Sequence, residues 1–111
     1  MKLCVFCGSN SGKNPNFKLS TCKLGQSIAL NNDTLVYGGG SVGLMGAIAD
    51  STLEAGGNVI GIMPDFLVKK EINHSGLTDL IIVKDMSQRK QKMMEISDAF
   101  ILLPGGIGSL E

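Results

Sequence analysis

Apolar residues along this chain fall into short runs separated by longer amphipathic stretches. Leu3–Phe6, Leu35–Tyr37, Val59–Met63, Leu80–Val83 and Ala99–Leu103 are apolar throughout, or nearly so, and are bounded by Gly, Pro, Asn or Asp. Runs of this length without alternation fit strands buried on both faces, as in a parallel sheet. The segments between them have helical periodicity. Asn14 is placed to cap a helix that has Pro15 in its first turn, and Phe17, Leu24 and Ile28 then share one face, predicting a helix over 15–31. A second helix is predicted from near Val42 to the Gly56-Gly57 pair, with Leu44, Ile48 and Ala55 inward and Gly46 allowing a close approach to the sheet. A third begins at Asp85, whose carboxylate caps while Gln88 reaches back, and ends before Ala99. The stretch DFLVKKEINHSGL, between Pro64 and Thr78, is too weakly periodic for more than a loop with one short helix.

Strands alternating with helices predict a doubly wound, Rossmann-like α/β fold of three α/β/α layers, as a single domain over residues 1–111. Sequential pairing and right-handed crossovers give an expected strand order of 3-2-1-4-5. Ligands in such sheets bind at the carboxyl ends of the strands. That gathers the loops 7–13, 38–43, 64–65, 85–89 and 104–109 on one rim and places the crevice between the first and fourth strands.

Charge narrows the choice of ligand. The ten acidic and ten basic residues balance, so nothing points to nucleic acid or an anionic membrane surface, and recognition must be local. Three cysteines is an odd number, no stretch reads as a leader, and no apolar run approaches the ~18 residues that span a bilayer; a reduced, cytoplasmic setting with free thiols is expected. Cys4 and Cys7 have the spacing of a metal or redox pair. Residues three apart on a strand face opposite sides, however, and only Cys22 and His74 remain as further ligands of that kind, so no metal site is expected. His74 reads as an ordinary loop residue.

Two stretches carry candidate chemistry at strand-to-helix junctions: YGGGSVGLMG (37–46) and PGGIGS (104–109). Glycines there expose backbone N–H groups and let an anion approach the positive end of a helix dipole; tight turns without a ligand are the plainer alternative. Neither ends in the Lys-Ser/Thr of a P-loop, which disfavours nucleoside triphosphate hydrolysis. Arg89 is the most informative single residue. Met86, Arg89, Met93 and Ile96 follow the spacing of an inward helix face, so a guanidinium stands where an apolar side chain is expected. It either points over the rim toward an anion or snorkels to water from the helix edge. Lys90, one position round, faces solvent by the same geometry, and the methionines read as core filler.

The ordered set CGSN, YGGGSVGLMG, DMSQRK and PGGIGS resembles the Lonely Guy family of cytokinin riboside 5′-monophosphate phosphoribohydrolases, long called lysine decarboxylases, and the resemblance covers the whole chain. It implies hydrolysis of the bond between adenine, commonly N-substituted, and ribose 5-phosphate, with some members acting on AMP itself. It implies no cofactor or metal, a nucleoside monophosphate as ligand, and a homodimer or larger homo-oligomer. By position, Arg89 matches the catalytic arginine. Gly105, Gly106, Ile107, Gly108 and Ser109 match the phosphate loop, with serine replacing the usual threonine. Gly8, Ser9, Gly39, Gly40, Gly43, Met45 and Lys90 are the further substrate-binding candidates. The family's glutamate falls one position beyond Glu111, so Glu111 is a weak substitute for it, and Asp65 stands where many members carry a basic residue. The chain is therefore expected to be the first two thirds of a longer fold and, at 111 residues, inactive or nearly so. The rival expectation is a nucleotide-binding carrier module of the same fold without catalysis.

Overall fold

A computed structural model describes residues 1–7, 15–70 and 73–103. The elements run β1 (Lys2–Phe6), α1 (Pro15–Leu30), β2 (Thr34–Tyr37), α2 (Gly43–Glu54), β3 (Asn58–Pro64), α3 (Asp65–Val68), β4 (Asp79–Val83), α4 (Met86–Ile96) and β5 (Ala99–Leu102). Each predicted strand and helix is present, and the weakly periodic stretch after Pro64 contains the one short helix α3. The cap proposed at Asn14 lies outside the described residues.

All four strand pairings are parallel, and the sheet order is β4-β3-β2-β1-β5. The doubly wound architecture stands, but the expected order 3-2-1-4-5 is corrected. The fourth strand extends the first run beside β3, and the fifth pairs with β1. The reason lies in the link between β3 and β4. Leu77, at its end, packs toward Gly61 on the sheet face that α1 and α2 cover, so this irregular segment fills the slot of a third helix and continues the winding in the same direction. The chain reverses only afterwards, when α4 crosses the opposite face to reach β5. The switch point therefore lies between β1 and β5, not between the first and fourth strands.

Alternation along the strands sorts the core into two layers. Val5, Cys7, Leu35, Tyr37 and Val59 face α1 and α2, where they meet Ile28, Leu44 and Ile48. Cys4, Phe6, Val36 and Ile62 face α4 and meet Met93. Cys4 and Cys7 thus lie on opposite sides of the sheet, and all three cysteines are free. The helices α1 and α2 approach closely at Gly25, where a Cβ would stand 2.9 Å from the Ile48 carbonyl oxygen. Gly46 does not serve the sheet as expected, since its missing side chain makes room for the backbone of Ser41 in the preceding loop. Ala55, expected inward, is exposed because α2 ends at Glu54 and the chain turns away at Gly56, φ +86°.

Candidate functional site

Helix α4 is set by its first turn. Asp85 is the N-cap, accepting from Gln88 N at 2.9 Å. The Gln88 side chain reaches back one residue further than expected, accepting from Lys84 N at 2.9 Å rather than from the cap itself. This start fixes the rotation of the helix, so that Arg89 and Met93 are its buried residues.

Arg89 is 9% exposed, which removes the snorkelling alternative. Its guanidinium reaches across the carboxyl ends of two strands. Nε donates to Ile62 O of β3 at 2.9 Å, and Nη2 donates to Gly38 O just beyond β2. Gly38 is glycine for this contact, since a Cβ there would lie 2.9 Å from Arg89 Cζ. Among the described residues Nη1 meets only Met86 Sδ, at 3.7 Å, so this edge keeps donor capacity for a ligand oxygen. Burial pushes the Arg89 pKa down, while Tyr37 and Cys7 act in the opposite direction. An arginine remains charged under such a shift.

Beside this edge lies an open cleft lined by Val5, Phe6 and Cys7 from β1 and its end, Gly38, Met45, and Met86, Arg89, Lys90 and Met93 from α4. Its lining holds two cations and no carboxylate among the described residues, on otherwise apolar walls. The sequence candidates Arg89, Lys90 and Met45 come together here; Lys90 is solvent-exposed as expected and borders the cleft as well. Gly39 and Gly40 belong to the adjoining loop and Gly43 opens α2; none of the three is in the lining. Gly39 and Gly43, at φ +86° and +60°, hold left-handed conformations that favour glycine. Gly8, Ser9, Gly105, Gly106, Ile107, Gly108, Ser109 and Glu111 lie outside the described residues.

Cys7 is not a ready nucleophile. Burial raises its thiol pKa to about 11, outweighing the lowering by Arg89, and the same cause raises Cys4 to about 11. Tyr37, fully buried, is pushed above its ordinary value by burial first and by Asp50 and Cys7 next. Its hydroxyl donates to Gly40 O at 2.7 Å, tying the glycine loop to the core.

Several residues of the site went unforeseen. The Ile62 carbonyl is a backbone partner that no motif marks, whereas Gly38 lies in the glycine stretch 37–46 that the sequence singled out, though not as an acceptor for Arg89. His74, taken for an ordinary loop residue, pairs through Nε2 with Asp50 Oδ1 at 2.6 Å. Gly61 did carry a signal, because a glycine inside an apolar strand marks a close backbone approach; a Cβ there would lie 2.9 Å from Gly39 Cα.

A doubly wound parallel sheet with a cationic, half-apolar cleft beside its switch point defines the class: a Rossmann-like α/β protein with a cationic rim. Residues 45–111 match the family model described as "Possible lysine decarboxylase", and the chain belongs to that family. It is 47% identical over 110 residues to a protein of Oryza sativa subsp. japonica named "Probable cytokinin riboside 5'-monophosphate phosphoribohydrolase", covering 99% of this chain and 49% of that one. It is likewise 47% identical to a cytokinin riboside 5'-monophosphate phosphoribohydrolase of Arabidopsis thaliana, covering 99% of this chain and 48% of the relative. The chain thus spans about half the length of these curated relatives. The fold is shared with the molybdenum cofactor binding protein of Rippkaea orientalis, at TM-score 0.81 and 23% identity over 98% of this chain and 67% of that one.

Proposed function

We propose that the whole protein hydrolyses the N-glycosidic bond of adenosine 5′-monophosphates, N-substituted or not, to free base and ribose 5-phosphate. The observation that carries this reading is the buried Arg89 spanning Gly38 O and Ile62 O with Nη1 left beside the cleft. In the reaction the bond between the anomeric carbon and the base nitrogen breaks, water supplies hydroxide to the carbon, and the base leaves with a proton. Arg89 and Lys90 would hold the anionic substrate in register, while Met45, Met86 and Met93 offer an apolar wall to the base. A carboxylate would steady the oxocarbenium-like sugar, by analogy with glycosidases. We assign the phosphate to the loop 105–109, residues 1–111 to one nucleotide-binding domain, and the protein to a cytoplasmic homodimer.

The test is chromatographic detection of adenine or N-substituted adenine after incubating the whole protein with the corresponding monophosphates. Base release that falls about 100-fold or more in Arg89→Ala supports the assignment, as expected when a preorganised charge is removed. The carrier reading predicts saturable AMP binding with no base released. Sedimentation as a monomer would remove the dimer from the proposal.

A further inference from the structure

The glycine loop is held through three consecutive carbonyl oxygens by three unrelated donors. Arg89 Nη2 donates to Gly38 O, His74 N donates to Gly39 O at 2.8 Å, and Tyr37 Oη donates to Gly40 O at 2.7 Å. Two of these donors sit on regular elements, α4 and β2. The third belongs to an irregular segment, which needs its own anchor to serve as one.

His74 supplies that anchor. Gly76 N donates to Nδ1 at 2.9 Å, which leaves the ring proton on Nε2, where Asp50 Oδ1 of α2 accepts it at 2.6 Å. One ring therefore closes the turn from His74 to Gly76 and fastens it to α2. Its side chain is only 14% exposed. With the ring fixed, the backbone beside it pairs with the loop, Asn73 lying opposite Gly40 in an antiparallel bridge. Gly61 bounds Gly39 from the sheet, so the loop cannot relax inward when this contact is lost.

In a trans peptide the carbonyl of one residue and the N–H of the next point in opposite directions. Fixing the Gly38 and Gly39 carbonyls therefore fixes the direction of the Gly39 and Gly40 amides. Gly38 and Met45, on either side of those amides, line the cleft.

Building on the nucleotide reading above, we propose that His74 is a positioning residue of the site: its imidazole, held between Asp50 and the Gly76 amide, clamps residues 73–76 onto the glycine loop and sets the direction of the loop's amides. His74 touches no substrate in this arrangement.

Hydrogen–deuterium exchange on the whole protein and its His74→Ala variant tests the clamp without reference to catalysis. The amide of residue 74, which donates to Gly39 O, is expected to exchange about tenfold faster or more in the variant, the effect of losing one hydrogen-bonded anchor, while those of β1 and α1 keep their protection. Asp50→Ala, at an exposed position, removes the same anchor without disturbing the core and is expected to act in the same direction. With AMP as substrate, KM is expected to rise several-fold with kcat nearly unchanged. Unchanged exchange in both variants overturns the clamp. Absence of base release by the unaltered protein overturns the proposed function instead, and the exchange result stands apart from it.

Discussion

The two faces of the sheet are built to different ends. On one, α1 and α2 join the sheet in a cluster of nine buried hydrophobic residues, with no buried charged side chain there among the described residues and with Gly25 letting the helices touch. On the other, α4 is the helix that covers the sheet among the described residues, the buried cluster including its own Met93 numbers five, and a charged guanidinium is buried at its start. Phe100 and Leu102 of β5, on this second face, remain 46% and 55% exposed. The contrast shows where an α/β protein can place chemistry: stability is concentrated in the closed layer, which leaves the thinner layer free to bury a cation and to border a cleft. A buried, hydrogen-bonded charge seldom adds net stability, so Arg89 is better explained by what it holds in place than by what it stabilises.

The contrast can be broken first by equal truncations. Ile48→Ala, in the closed layer, is expected to lower unfolding free energy by about 3–4 kcal/mol, and Met93→Ala, beneath α4, by about 2 kcal/mol, because the thinner layer can adjust or admit water. Denaturant titration measures both, and equal losses would erase the distinction.

The thiols offer a second measure, since Cys7 lies in the closed layer and Cys4 in the thinner one. Both pKa values are raised in the folded state, from about 9 to about 11. Below pH 9 both forms are protonated whether folded or not, and the stabilisation is fully present. Between about 9 and 11 the unfolded chain gives up protons that the folded one keeps, so stability falls as pH rises. Each thiol contributes on the order of 2–3 kcal/mol to that fall. Melting temperatures across this range should decline less steeply in Cys4→Ala and in Cys7→Ala, and least steeply in the double variant.

Smaller effects sharpen the picture at α4. Arg89→Met should lower stability by about 1–2 kcal/mol, since the Ile62 and Gly38 carbonyls lose their donor while the charge itself is no longer desolvated. A gain in stability would show that the guanidinium is held at a net cost. Asp85→Ala removes the cap and should cost about 1 kcal/mol by thermal melting, with little effect on the closed layer.

Much of this fold could be read from the residues. Strands buried on both faces announce themselves as unbroken apolar runs, and the inward stripe Met86, Arg89, Met93, Ile96 placed the arginine correctly in the interior. The strand order could not be read, because handedness constrains each crossover but not how far the winding continues before it reverses. That depended on the stretch ending at Leu77, whose packing on Gly61 has no periodic signature. The clamp was hidden for a related reason: Asp50 and His74 stand 24 residues apart, and each alone looks like an ordinary surface residue. The donors to Gly38, Gly39 and Gly40 act on backbone oxygens, which every residue type presents alike.

The chain contains one tyrosine and no tryptophan, and that tyrosine is Tyr37. Its ultraviolet emission therefore arises from the one phenol whose hydroxyl grips Gly40, and a molecule settling beside Met45 and Gly38 would perturb that fluorophore without any attached dye. Occupancy of the cleft has an intrinsic optical reporter.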